Sequence, residues 1–91
     1  EHVEIFFGPA PGLQSRLGLI VPKYGRSVVE RNLVKRRLRE IGRRLALPAL
    51  GEGGAPADLL VRAKRSAYGA EYTVLESEIR TAVEAWCSDR V

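Results

Sequence analysis

The sequence predicts an α+β fold, a small two-layer sandwich in which helices pack against one sheet in the order β-β-α-β-α. Three observations predict this class. Two short apolar segments with strand character open the chain, a long basic amphipathic segment follows, and a third apolar segment precedes a second amphipathic helix. The chain has 91 residues, of which 45% are hydrophobic, so we expect one domain covering residues 1–91.

The first two elements are strands. In the segment "HVEIFF", apolar Val3, Ile5 and Phe7 alternate with His2, Glu4 and Phe6, which is the period of a strand. The segment 8–12, "GPAPG", is typical of a turn. The segment 16–21, "RLGLIV", predicts a second strand that runs antiparallel to the first and ends before Pro22.

A helix follows the second strand. Ser27 and Glu30 have the spacing of a capping box, in which each side chain accepts a hydrogen bond from the other residue's N–H. The apolar period continues to Leu47, and Pro48 is expected to stop the helix there. The segment 48–57, "PALGEGGAPA", predicts a flexible surface loop.

The chain ends with a strand and a helix. The segment 58–64, "DLLVRAK", predicts the third strand. Thr73 and Glu76 predict a second capping box, followed by a helix from Val74 to Cys87. The apolar stripe of this helix consists of Leu75, Ile79, Val83 and Trp86.

Positive charge is concentrated in one part of the chain. The net charge is +4, but residues 15–45 hold ten basic and two acidic residues, whereas residues 66–91 hold two basic and five acidic ones. This distribution predicts a polyanionic partner such as nucleic acid. A membrane surface is less favoured, because the apolar face of the basic helix lacks Trp and Phe. We also expect no membrane span, because no apolar run approaches about 20 residues.

The basic helix separates its charges from its apolar residues. On a helical wheel, Val34, Leu38, Ile41 and Leu45 form a narrow stripe, and Arg31 and Arg37 flank it. The opposite side, which we call the basic face, consists of Asn32, Lys35, Arg36, Arg39 and Arg43. Arginine forks match phosphate oxygens. Asn32 can contact sugar or base edges, although its spacing alone favours a solvated or locally hydrogen-bonded asparagine.

No group of side chains predicts protein-based catalysis or a metal site. The single His2 lies near a chain end, and the single Cys87 has no histidine near it in sequence. A lone cysteine cannot form an internal disulfide, which suits a cytoplasmic protein. Glu76, Glu78 and Glu84 are interpreted as solubilising residues on a polar helix face.

The segment "ERNLVKRRLRE" resembles the RNR signature of the bacterial ribonuclease P protein subunit, whose core reads R-N-x-x-K-R. Arg31, Asn32, Lys35 and Arg36 match that core. The preceding "RLGLIV", the turn around Lys23 and Gly25, and the later "DLLVRAKR" also resemble the family. The resemblance covers the chain from about Ile5 to Trp86.

The resemblance implies a subunit that binds the catalytic RNA of ribonuclease P and assists removal of the 5′ leader from precursor tRNA. The RNA carries out the cleavage with Mg²⁺, so the protein is part of an endoribonuclease without supplying catalytic side chains. The fold implied is that of ribonuclease P protein and ribosomal S5 domain 2, with a left-handed β-α-β crossover. General rules favour the right-handed form.

The resemblance also implies two binding surfaces. The catalytic RNA is expected to contact Arg31, Asn32, Lys35, Arg36, Arg39 and Arg43, with Lys23 and Arg26 extending that surface. The leader is expected in a cleft on the sheet, and the candidate residues are Phe6, Phe7, Arg16, Arg62 and Lys64, with Ile5 on the same strand. Only one parity of the first strand can face this cleft, and core burial of the Phe pair is an equal alternative.

The family normally begins with an extra helix, which is absent here, so either an N-terminal piece is missing from this sequence or this homologue is shortened. Its absence predicts uncovered apolar sheet surface and self-association through it. Two other functions stay open. One is a general single-stranded RNA- or DNA-binding domain of the same fold, which would accept any single strand. The other is a protein-binding module whose basic face docks an acidic partner.

Overall fold

The computed structural model describes residues 2–9, 14–52 and 57–88, and its three strands form one sheet. The strands are β1 (Val3–Pro9), β2 (Leu17–Ile20) and β3 (Ala57–Ala63), in the order β1-β3-β2. β3 pairs antiparallel with β1 and parallel with β2. β1 and β2 therefore run antiparallel, as predicted, but they are not neighbours because β3 lies between them.

The parallel pairing of β2 and β3 requires a crossover connection, and the helices between them supply it. These are α1 (Val28–Ile41), a π-helical segment (Gly42–Ala46) and α2 (Leu47–Glu52). After β3 come a 3₁₀ turn (Arg65–Gly69) and α3 (Tyr72–Ser88). The predicted α+β class and element order are confirmed. The handedness of the crossover stays a prediction.

Helical structure continues past Pro48, so the predicted stop at Leu47 is wrong. Proline lacks an N–H and clashes with the carbonyl four residues earlier in a regular α-helix. Here the preceding turn is a π-helix, in which the Leu47 N–H bonds to the Gly42 carbonyl, and Pro48 occupies the first turn of α2. The predicted surface loop is wrong up to Glu52, because Leu50 is buried in the core. Residues 53–56 lie outside the described ranges.

The first capping box is confirmed, and the second is wrong. The Ser27 hydroxyl accepts from the Glu30 N–H, the Glu30 carboxylate accepts from the Ser27 N–H, and both distances are 3.1 Å. The Ser27 N–H and the Arg26 guanidinium lower the pKa of Glu30. In contrast, Thr73 lies inside α3, which begins one residue earlier at Tyr72.

The core lies between the inner sheet face and the two long helices. The predicted stripes are buried at Val34, Leu38 and Ile41 of α1 and at Leu75, Ile79 and Val83 of α3. Leu45 and Trp86 are partly buried against the same core. The opposite sheet face is open, and Phe6 and Ile20 on it are 50% and 43% exposed.

Gly42 allows the helical crossover to approach β2 closely. A Cβ at this position would lie 2.4 Å from Leu17 Cδ2 and 3.3 Å from Leu17 Cγ. We expect Gly42→Val to lower the free energy of unfolding by about 1–3 kcal/mol, because the added side chain overpacks this contact. Urea denaturation would measure the loss. Gly51→Val is the matched control, because Gly51 is also helical and has open space around its Cβ position; an equal loss in both variants would contradict the prediction.

Candidate nucleic-acid interface

The basic face is exposed along α1 and continues into the π-helical segment. Asn32, Arg36, Arg39 and Arg43 are exposed and Lys35 is half-buried. The salt bridges between described residues include none of the four cations of this face. These cations are not held in direct ion pairs with described carboxylates, so they can attract an external polyanion.

Two other cations of this helical region, Arg31 and Arg44, have partners within the protein. Arg31 Nε donates to the Val21 carbonyl at 2.7 Å, which ties the start of α1 to the end of β2. Arg44 donates to the Tyr72 hydroxyl and pairs with Glu76, and both contacts raise its pKa. Arg44 therefore links the π-helical segment to α3, and Arg31 has a structural bond in addition to any contact with RNA.

A cluster of basic and aromatic side chains lies beside the start of α1. Lys23 and Arg26 are exposed, as their predicted role in RNA binding requires. The Arg26 guanidinium lies 5.4 Å from the Tyr68 ring centre, and Arg65 lies 5.0 Å from the Tyr24 ring centre. The two rings meet edge to face at 6.4 Å.

Sequence reasoning missed Arg65, Tyr24 and Tyr68. The only available signal was the mixture of basic and aromatic residues in "KYGR" and "KRSAY". Tyr24 has a φ of 50°, a conformation that a bulky residue adopts only when its surroundings hold it. Its hydroxyl donates to the Ala63 carbonyl at 3.4 Å, and the Tyr68 hydroxyl donates to the Pro22 carbonyl at 2.6 Å. These bonds join the segment before α1 to the end of β3 and to the 3₁₀ turn that follows it.

The two phenylalanines of β1 point to opposite faces of the sheet. Phe7 stacks on Trp86 of α3, with ring centres 4.6 Å apart and planes within 7°. Phe6 is half-exposed on the open face. Phe7 therefore packs against the core, whereas Phe6 is accessible to an incoming ligand. Ile5 shares the inner face with Phe7, because residues two apart on a strand point the same way.

An open cleft of about 470 Å³ lies beside Phe6 on this face, and we call it the outer cleft. Its lining includes Phe6, Phe7, Gly8, Arg16, Leu17, Gly18, Asp58, Leu59 and Leu60. Arg16 forms a two-pronged contact with Asp58, Nη2 to Oδ2 at 2.8 Å and Nε to Oδ1 at 3.3 Å. The structure therefore brings Phe6 and Arg16 together in one cleft.

Two other predicted leader residues lie outside that cleft. Arg62 and Lys64 are exposed towards the opposite end of β3. Arg62 stands opposite Glu4 on β1, and their side chains approach to 3.9 Å. Arg62 is thus accommodated on the open sheet face, where it has both solvent and an acidic neighbour.

Within the described ranges, no group of three His, Cys, Asp or Glu side chains is arranged to hold a metal ion. Nor does any described helix combine the length and apolar character that crossing a membrane would need.

Comparison with known proteins places the chain in a family. Residues 1–86 match the family model described as Ribonuclease P. The chain is similar to the ribonuclease P protein component of Thermus brockianus, with 42% identity over 84 residues that make up 92% of this chain and 46% of that protein. For the corresponding protein of Pseudarthrobacter chlorophenolicus, identity is 40% over 76 residues, or 84% and 53% of the two chains. The chain thus spans about half the length of the curated relatives it matches.

Solved structures show the same fold. The ribonuclease P protein of Thermotoga maritima superposes with a TM-score of 0.75 at 21% identity, covering 93% of this chain and 77% of that one. The Staphylococcus aureus protein gives a TM-score of 0.69 at 18% identity, covering 91% and 72%. From the match of residues 1–86 to the family model and the identity to bacterial relatives, we conclude that the chain belongs to the ribonuclease P protein family.

Proposed function

We propose that this chain acts as the protein component of ribonuclease P, which binds the catalytic RNA and the 5′ leader of precursor tRNA and assists leader removal in the bacterial cytoplasm. The observation that carries the proposal is the basic face of α1. It presents three of the four residues of the R-N-x-x-K-R core, Asn32, Lys35 and Arg36, and its four cations form no salt bridge among the described residues.

The basic face is the proposed contact with the catalytic RNA. Arg36 and Arg39 can each present a planar fork to phosphate oxygens. Lys35 adds a point charge beside them, and Asn32 adds a donor and an acceptor for sugar or base edges. Like charges spaced along one helix repel each other. The phosphates of a bound RNA would relieve that repulsion, so RNA binding is expected to stabilise the helix.

The outer cleft is the proposed contact with the single-stranded leader. Single strands are commonly held by a basic groove with an aromatic side chain on which a base stacks. Phe6 supplies an exposed ring and Arg16 supplies a cation in the same cleft. Arg62 and Lys64 add positive charge further along the sheet.

The protein itself is proposed to contribute binding and orientation, and the RNA is proposed to carry out the cleavage. Mg²⁺ in this enzyme would be held by RNA phosphates, since Mg²⁺ prefers oxygen ligands and commonly binds through phosphates. The protein's cations would favour the compact RNA at lower Mg²⁺ by neutralising phosphates.

A reconstitution tests the proposal. The protein is mixed with a bacterial ribonuclease P RNA and a 5′-labelled precursor tRNA at low Mg²⁺, and leader release is followed. We expect cleavage to depend on the protein and to fall with Arg36→Ala. Arg80→Ala is the matched control, because Arg80 is an exposed arginine of α3 that does not belong to the basic face. Equal loss in both variants, or no stimulation by the protein, would contradict the proposal.

RNA selectivity distinguishes the proposed subunit from a general single-strand binder. The subunit should prefer folded ribonuclease P RNA over an unrelated RNA of equal length. A general binder should hold any unpaired RNA or DNA equally and should leave the Mg²⁺ requirement of cleavage unchanged.

The Phe pair gives a second, independent prediction. Phe6→Ala should weaken single-stranded RNA binding by about 1–3 kcal/mol, the value of one base stacked on an aromatic ring, and should leave stability nearly unchanged. Phe7→Ala should instead lower stability by up to about 3–5 kcal/mol, because it removes a ring stacked on Trp86. Fluorescence anisotropy and thermal unfolding separate the two effects. The reverse pattern would show that the strand presents the opposite face to the ligand.

A further inference from the structure

A second groove lies next to the outer cleft, at the β2 edge of the sheet. This groove of about 460 Å³, which we call the edge groove, lies between β2 and the helical crossover. Its lining residues are Arg16, Leu17, Leu19, Lys35, Arg39, Arg43 and Leu47. Within the described part of the chain β2 is an edge strand and no further strand separates the two grooves, and Arg16 and Leu17 line both.

Arg16 is therefore the residue at the junction of the two grooves. Its side chain is 67% exposed, so it is accessible from solvent. Three further cations, Lys35, Arg39 and Arg43, line the edge groove beyond it. A chain of phosphates leaving the outer cleft would meet Arg16 first and then these three residues.

Asp58 interrupts this positive path. It is the only carboxylate among the described residues that line either groove, and it holds the Arg16 guanidinium by the two contacts described above. The hydrogen bond from Arg16 lowers the pKa of Asp58, so the carboxylate is charged at neutral pH. A carboxylate occupies the guanidinium fork in the same two-pronged geometry that a phosphate would use.

We propose that Arg16 binds a phosphate of a single RNA strand that runs from the outer cleft around the β2 edge into the edge groove, and that Asp58 occupies Arg16 in the free protein. The inference rests on the proposed function and adds the course of the strand. Binding requires Arg16 to exchange a carboxylate for a phosphate, so Asp58 limits affinity. Asp58 also keeps the guanidinium at the junction while no RNA is present.

The test measures binding of a labelled, unstructured oligouridylate of about 12 nucleotides by fluorescence anisotropy over a salt series. We expect Asp58→Asn to bind about two- to fivefold more tightly than the unmodified protein, which is the size of an exposed ion pair released for another partner. Arg16→Ala should bind more weakly and flatten the log–log salt slope by about 0.7. The double variant Arg16→Ala/Asp58→Asn should recover part of that loss, because Arg16→Ala alone leaves an unpaired Asp58 carboxylate that repels phosphate and the double variant does not.

Glu4→Gln is the matched control for charge. It also removes one negative charge from the open sheet face beside an arginine, Arg62, but it lies outside both grooves. Tighter binding in Asp58→Asn than in Glu4→Gln supports the inference. Equal gains in both variants, or weaker binding in Asp58→Asn, would overturn it.

Thermal unfolding of each variant tests the alternative that the Arg16–Asp58 ion pair serves only to stabilise the sheet. In that case Asp58→Asn loses stability and gains no affinity. An error in this inference can be told apart from an error in the proposed function. If Arg16 and Asp58 variants bind the oligonucleotide like the unmodified protein while leader cleavage still depends on the protein and Arg36, only the inference is wrong.

Discussion

Replacing Lys35, Arg39 and Arg43 together with alanine should lower affinity for ribonuclease P RNA by about 10²–10³-fold at 0.1 M salt. Each phosphate contact contributes about 0.7–0.9 to the slope of log K against log salt, so losing three contacts flattens the slope by about 2–3. These residues lie four apart along one side of the crossover and line one groove. The measurement is a salt series of filter-binding or anisotropy titrations.

Two controls accompany the triple variant. Circular dichroism and thermal unfolding should show an intact fold, since the three side chains lie outside the buried core. The double variant Arg44→Ala/Arg80→Ala removes positive charge where the arginines already pair with Glu76. It should change the salt slope little. A triple variant with an unchanged slope would remove the basic face from the RNA interface.

Leu38→Ala should lower the free energy of unfolding by about 2–5 kcal/mol, the largest stability loss expected from a single residue of α1. Leu38 is 0% exposed and belongs to the buried core, so its truncation loses apolar burial and leaves a cavity. A domain of this size has few kilocalories of net stability. Part of the Leu38→Ala population is therefore expected to be unfolded at 37 °C, as chemical denaturation would show.

Leu33→Ala is the matched control for this prediction. Leu33 belongs to the same helix and the same residue type but is 36% exposed. Leu33→Ala should lower the free energy of unfolding by less than about 1 kcal/mol, because the Leu33 side chain is already partly hydrated. Similar losses at positions 33 and 38 would show that helix propensity, rather than core burial, controls the stability of α1.

The sequence predicted those features that depend on local periodicity. Ser27 and Glu30 form their capping box because both partners lie within one turn. Val34, Leu38 and Ile41 are buried because their spacing places them on one side of a helix, and the basic face is exposed for the same reason. The family resemblance adds the R-N-x-x-K-R core, which no periodicity argument would single out.

Pro48 and Thr73 show where local rules failed. A proline in an apolar-periodic segment usually ends a helix, but here the π-helical turn before it removes the conflict. Burial of Leu50 then stabilises the extra turn. Thr73 followed by Glu76 has capping-box spacing, yet Glu76 instead pairs with Arg44 and Arg80, and one of these lies 32 residues away.

The sequence by itself determined the family, the order of the three strands and two long helices along the chain, and the exposed, basic side of α1, because each depends on residue types at short spacing. The tertiary structure decided which phenylalanine is accessible, which arginines are paired, and how the binding residues meet. Phe7 is covered because Trp86 stacks on it, and Arg44 is held because Glu76 reaches it. Arg16 joins two grooves only because β2 lies at the sheet edge. Contacts between residues far apart in the chain depend on strand order and packing, which local patterns do not encode.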